Sequence, residues 1–327
     1  MVTPTNVRAG RISRFIAAFQ SAYGTAVSNF ATATALWTEE GVAQAAPRKV
    51  EARGMGGPSS GPAAYGTDAR SSLPERPAGT IRVLATPSAI ELLFRSNMGA
   101  PAGGTFALNT QVAATNWVTL AWVENYAGGA QRILRAQDVF FHRLDLEVPS
   151  RGPVVIAAHW AGRRTYNQAM NAGGITLLAS PMTPDETIFG VSEDHTNLYR
   201  DPTGTNQELK IAGLTMSFDQ RLVHRYSMGS GLYEAYKGGR MRFGVQFESY
   251  VSDETWTMID RINSGTKERY RFTMTTPNAA DTFQVDAYEL DFEEPLVGHD
   301  GREYVTFKAA GAAHVSSAGN FLTVSLT

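Results

Sequence analysis

Two six-residue segments, LDLEVP (144–149) and LDFEEP (290–295), agree at four positions, and their flanks repeat an order of elements. In the first half, GTIRVLA (79–85) alternates like a strand, with Ile81 and Val83 on one face. TPSAIELLFRSNMG (86–99) then reads as a punctuated helix. Thr86 suits the N-cap, Pro87 the first turn and Gly99 the position after the C-cap, while Ile90, Leu93, Phe94 and Met98 form one apolar stripe. NWVTLAWVENYAGGAQRILRAQ (116–137) reads as two strands around Gly128 and Gly129. DVFFHRLDLEVP, a tight SRG turn and PVVIAAHWAG follow as strand, turn, strand.

The second half gives the same order. GGRMRFGVQFES (238–249) alternates, and SDETWTMIDRINSG (252–265) is a helix capped by Ser252 or Asp253. Its stripe is Thr255, Met258, Ile259 and Ile262, and Gly265 closes it. ERYRFTMTT, DTFQVDAYELDFEEP, GREYVTFKAAG and NFLTVSLT read as strands. Gly152–Gly162 and Gly301–Gly311 align without a gap, and both stretches end in Ala-Gly. This shared order predicts a diverged tandem duplication of a mainly β unit, each copy a β-sandwich or barrel with one packed helix. The alternative is two unrelated β-rich halves.

Composition sets the outer bounds. The 327 residues are 43% apolar and 18% charged, which suits a large core and excludes a disordered chain. With no cysteine, disulfide frameworks, thiolate zinc sites and cysteine nucleophiles are excluded. No apolar run is long enough to span a membrane as a helix, and the first residues do not read as a signal peptide. Net charge is −2 but uneven: residues 1–80 hold eight basic and five acidic residues, residues 281–327 two and eight. No cluster of cations reads as a nucleic-acid grip. Residues 52–66, rich in Gly, Ser, Pro and Ala, read as a long loop or arm.

Motifs for chemistry are sparse. Asp145 and Glu147 share one face of their strand, as do Asp291 and Glu293. Such pairs can be a solvated strand face, a charged lumen or intersubunit face, or a glycosidase-like acid and nucleophile. None of the six histidines sits in an HExxH motif, SEDHTN (192–197) lacks the spacing of a calcium loop, and GMGGPSSG lacks the Lys-Ser/Thr of a P-loop. No metal or cofactor is expected. Arg163 and Arg164, near the boundary of the repeats, are candidates for salt bridges to a neighbouring subunit or for plain exposure. The tryptophans read as core or interface anchors.

RISRFIAAFQSAYGTA, a GM in the following loop, and a glycine-led strand into TPSAIELLFRSNMGA together resemble the major tail tube proteins of long-tailed bacteriophages. The resemblance covers roughly residues 10–325 and is carried by the order of elements more than by any invariant group. It implies two tandem tail-tube-type β-sandwich/barrel domains whose sheets join those of neighbours into a continuous inner barrel. Residues 1–78 would be the N-terminal strand and arm of the first domain, 79–165 its remainder, 166–206 a connector and 207–327 the second domain. It further implies a structural, non-catalytic virion protein of a non-contractile tail, assembled in the host cytoplasm. Three such chains would supply six domains, giving trimeric rings with pseudo-sixfold symmetry. A hexamer in which one domain lines the tube is the alternative. Rings would stack through the arm (roughly 40–78) and residues 180–206, meet other tail proteins at the tube ends and pass viral DNA without binding it specifically, with no membrane partner. A two-domain β-sandwich module binding carbohydrate or a receptor is the other reading, and a hydrolase using the acidic strand pairs is the third.

Overall fold

A computed structural model describes residues 13–41, 50–53, 69–72, 77–106, 116–125, 131–169, 187–191, 196–201, 207–209, 211–226, 233–237, 241–277, 280–292, 296–299, 305–314 and 321–327. The fold is mainly β, with two helices among the described residues. The first repeat runs β1 (Ser13–Phe19), β2 (Thr34–Leu36), β3 (Thr38–Gly41), a hairpin of β4 (Val50–Arg53) and β5 (Ala69–Ser72), β6 (Ala78–Leu84) and α1 (Pro87–Asn97). It continues with a small hairpin of β7 (Pro101–Ala102) and β8 (Thr105–Phe106), then β9 (Val118–Asn125), β10 (Gln131–Val148), β11 (Gly152–Pro153), β12 (Val155–Ala161) and β13 (Arg164–Ala169). After the short β14 (Gly190–Val191) come β15 (Thr196–Asp201), β16 (Gln207–Leu209), β17 (Ile211–Asp219), a hairpin of β18 (Leu222–Tyr226) and β19 (Tyr233–Lys237), β20 (Arg242–Tyr250) and α2 (Asp253–Asn263). The chain closes with β21 (Glu268–Thr275), β22 (Thr282–Phe292), β23 (Leu296–His299), β24 (Val305–His314) and β25 (Leu322–Leu326).

The strand pairings repeat. β1 pairs with β2 and β9, as β15 pairs with β16 and β21. β3 and β17 pair with β6 and β20. The first halves of β10 and β22 lie between β9 and β13, and between β21 and β25. Their second halves pair with β12 and β24, which return to β6 and β20. All these pairings are antiparallel. Long strands that serve two sheets are the common device. β10 makes the transition near Asp138, whose φ of +51° sits where the β9–β10 register shifts between Ala136 and Val139. Asp is one of the few side chains that tolerate this backbone conformation at a bulge.

The two helices carry the expected punctuation. Thr86 and Ser252 are the N-caps, accepting from the backbone N–H of Ala89 and Thr255. Gly99 and Gly265 follow the C-caps with positive φ, where a Cβ would be strained. In α1 the stripe Ile90, Leu93, Phe94 and Met98 is fully buried. In α2 Thr255, Met258 and Ile259 are buried, and Ile262 packs partly buried against the core. One apolar cluster contains residues of both repeats. At its centre Phe94 of α1 packs on Phe106 and, from the second repeat, on Phe218 (ring centroids 4.9 Å) and Phe283 (5.2 Å). The first helix is thus covered by the second repeat.

Three expectations need correction. The strand expected to end near Gln137 and the one expected from Asp138 are a single strand, β10, because the bulge bends the chain without ending the pairing. The gap-free alignment of Gly152–Gly162 with Gly301–Gly311 is not the structural one. Leu84 and Tyr250, each two residues before a helix N-cap, face Val155 and Thr306, so hydrogen-bond register shifts the match by two residues. Finally, β15 lies within the expected connector 166–206, and β13 straddles the boundary expected at 165. TNLYRD (196–201) is a strand through its pairing with β21, despite lacking apolar alternation. Residues 54–68, most of the expected arm, lie outside the described residues, but β4 and β5 pair at its base.

Phe94→Ala removes the ring shared by both repeats. It is expected to cost about 3–5 kcal/mol, and the repeats should lose stability together, in one transition in chemical denaturation monitored by circular dichroism.

Candidate functional site

The second half of β10 has two neighbours, β12 and β17, and β17 belongs to the second repeat. Arg143–Val148 lie opposite Leu214–Asp219. This pairing fuses the repeats into one eight-stranded sheet in the order β3, β6, β12, β10, β17, β20, β24, β22. One lateral row crosses all of it: Glu40, Arg82, Ala157, Asp145, Ser217, Gly244, Ala312 and Asp291. The next row supplies core residues, among them Ile81, Ala158, Leu144, Phe218, Phe243 and Leu290, all buried. Period-two alternation therefore gives the sheet one apolar and one polar face. Asp145 and Asp291, the landmarks of the repeated motif, lie on the same polar row, one in each repeat.

The polar face is shallowly grooved between Arg143, Glu147, Ser217, Gln246 and Asp291. Asp145 is 8% exposed and holds three partners. Arg143 Nε donates to Oδ1 at 2.9 Å, Ser217 Oγ donates to Oδ1 at 2.5 Å, and His159 Nε2 lies 3.0 Å from Oδ2. With Nε2 as donor, His159 Nδ1 accepts from Thr80 Oγ1 at 2.9 Å. Burial alone would raise the Asp145 pKa. The hydrogen bonds from His159, Ser217 and Arg143, with the charge of Arg143, outweigh it and bring the carboxyl down to about 2. Glu147 forms a fork with Arg82, at 2.9 and 2.7 Å across β12. Asp291 is exposed beside Ala312. Glu293 lies outside the described residues.

The paired arginines are placed differently from each other. Arg163 turns inward: its guanidinium stands over the Tyr23 ring at 4.9 Å and its Nη1 lies 3.6 Å from Asp138 Oδ2. Burial raises the Asp138 pKa against the lowering effects of the Gly24 N–H and Arg163. Arg164 pairs through its backbone with Gln137, and its side chain lies outside the described residues.

Sequence reasoning missed a second ionic cluster. Asp286, 4% exposed, accepts from Arg271 Nε (2.8 Å), Arg269 Nη2 (3.1 Å) and Gln284 Nε2 (2.7 Å). The signal was present: Arg269 and Arg271 on β21, and Gln284 and Asp286 on β22, alternate with buried Tyr270, Phe272, Phe283 and Val285. The close approach of the His142 and His159 rings, 6.4 Å between centroids, also depended on the β10–β12 register. Among the described residues no group of three acidic, His or Cys side chains is arranged to hold a metal ion, and no helix is long and apolar enough to cross a membrane. Comparison with known proteins finds no matching family model and no significant match among curated proteins.

The linkage for Asp145 has a definite sign. A carboxyl whose folded pKa lies below its unfolded value stabilises the fold above about pH 4, and that contribution is lost as pH falls toward about 2. Asp145→Asn keeps the shape but leaves Arg143 and His159 without their anion. It is expected to cost about 1–3 kcal/mol at pH 7 and to flatten the loss of stability between pH 5 and pH 2. Urea denaturation across that range checks both.

Proposed function

We propose that this chain is a tail tube subunit: a structural protein that closes with copies of itself into rings around a DNA-conducting channel and performs no catalysis. The observation that carries the reading is the eight-stranded sheet. It consists of two equivalent four-stranded sets, one per repeat, with a continuous polar face on one side and the shared core on the other. A sheet of this kind has two edges to satisfy, and closure into a barrel removes them. Three copies would supply twenty-four strands and six equivalent sets. At ~4.8 Å between strands and ~40° of tilt, such a barrel is about 45–50 Å across its backbone, wide enough for a DNA duplex.

The chemistry of the polar face supports passage over binding. Counterion release rewards clustered cations. Here Arg82 and Arg143 are held by Glu147 and Asp145, and Asp219 lies in register between Arg143 and Arg242. Gly244, Ala310 and Ala312 line the groove beside Asp291 with little for a base or phosphate to grip. Asp145 and Glu147 make an unpromising acid and nucleophile, because each is neutralised by a neighbouring cation. The two repeats also insert a hairpin at the same point, β4–β5 and β18–β19, between β3 and β6 and between β17 and β20. We assign ring-to-ring contacts to these two hairpins. The second replaces the 180–206 segment as the partner of the arm.

Native mass spectrometry and electron microscopy of the purified protein test the reading. The expected result is a three-chain ring with six similar lobes that stacks into hollow tubes. A monomer at every concentration and salt condition would rule it out.

A further inference from the structure

The joint between the repeats is visible inside the chain, and the repeats are equivalent. The same joint can therefore be looked for at the two ends of the eight-stranded sheet. At one end is β3, the counterpart of β17; among the described strands it pairs with β6 alone, whereas β17 lies between β20 and β10. At the other end β22 continues into β23 along β24, and Leu296–His299 correspond to the segment of β10 that receives β17.

The helices give an independent sign. Trp256 and Ile90 occupy the same position, four residues after the N-caps Ser252 and Thr86. Ile90 is completely buried, while Trp256 is 51% exposed. The difference follows from what covers each helix. α1 lies beneath the second repeat, with Phe94 against Phe218 and Phe283, whereas Asp260, the counterpart of Phe94 on α2, is exposed. An exposed tryptophan on a helix is costly to leave in water and is a typical interface anchor. Trp37, 38% exposed, immediately precedes β3 at the opposite end of the sheet.

We propose that a second copy of this chain docks its first repeat against α2 and β23, repeating between chains the joint that β10 and β17 make within one. The proposal rests on the reading of this protein as a ring-forming subunit and assigns the faces that meet. In the transferred register, Gly41 of the incoming copy stands opposite His299, as Leu214 stands opposite Val148. The polar face then continues from chain to chain, and Trp256 is covered as Ile90 is. The contact is heterologous, with different surfaces on its two sides. Repetition therefore gives a closed ring if the rotation closes and a helical filament if it does not.

The natural absence of cysteine makes the register directly testable. In the variant carrying Gly41→Cys and His299→Cys together, the two thiols should oxidise between copies. The equivalent internal pair, Leu214 and Val148, stands directly opposite across the joint. The expected result is a ladder of covalent oligomers on a non-reducing gel, absent from either single variant. Rings on the grid with both thiols still reduced and reactive would overturn this joint while leaving the tube reading intact. A covalent ladder without rings or tubes would uphold the joint and remove the tube reading. A chain that remains monomeric under all conditions would end both. As a second measure, Trp256→Ala should leave thermal unfolding of the monomer unchanged and weaken self-association at least tenfold by sedimentation velocity. Association at wild-type strength would show that α2 is not part of the contact.

Discussion

The backbone pairing of β10 with β17 is the contact on which the rest of the structure depends. Six residues on each side align the two repeats, bring their polar rows into one and bury the aromatic rings beneath them. Asp145 secures this joint from the polar side through Ser217, and Leu144, Leu146, Met216 and Phe218 secure it from the core. A change that opened this pairing would expose two strand edges and split the apolar cluster, each of which is unfavourable in water.

That dependence explains why equivalent positions have diverged. α1 is enclosed on almost every side and is correspondingly apolar. α2 is enclosed on one side, and Asp253, Glu254 and Asp260 are exposed on the other beside Trp256. Position 94 is Phe where a second repeat covers the helix, and its counterpart Asp260 is exposed. Duplicated units within one chain face different neighbours, and their sequences separate accordingly. The pairing pattern is retained because antiparallel registers tolerate side-chain change as long as the alternation of faces survives.

Much of the fold was legible in the sequence. The caps, stripes and terminal glycines of both helices were readable because local backbone chemistry sets them. The strands β6, β20, β21 and β12 were readable from alternation or continuous apolar character. The polar strands β13 and β15 were not, since neighbours stabilise them more than their own side chains do. The landmark carboxylates were found as a pair of motifs, but the Arg82 fork to Glu147 and the Ser217 hydrogen bond to Asp145 join residues 65 and 72 positions apart, beyond the reach of spacing arguments.

By itself the sequence determined a cysteine-free, mainly β chain with a repeated order of elements, two punctuated helices and an Asp-bearing strand in each half. These follow from local propensity and periodicity. Tertiary structure decided that the two aspartates share one row and face, that the true repeat match is shifted by two residues, and that α1 is covered where α2 is open. Each of these depends on which strand edges meet and in which register. Hydrogen bonding between distant segments fixes that choice, and no local pattern encodes it.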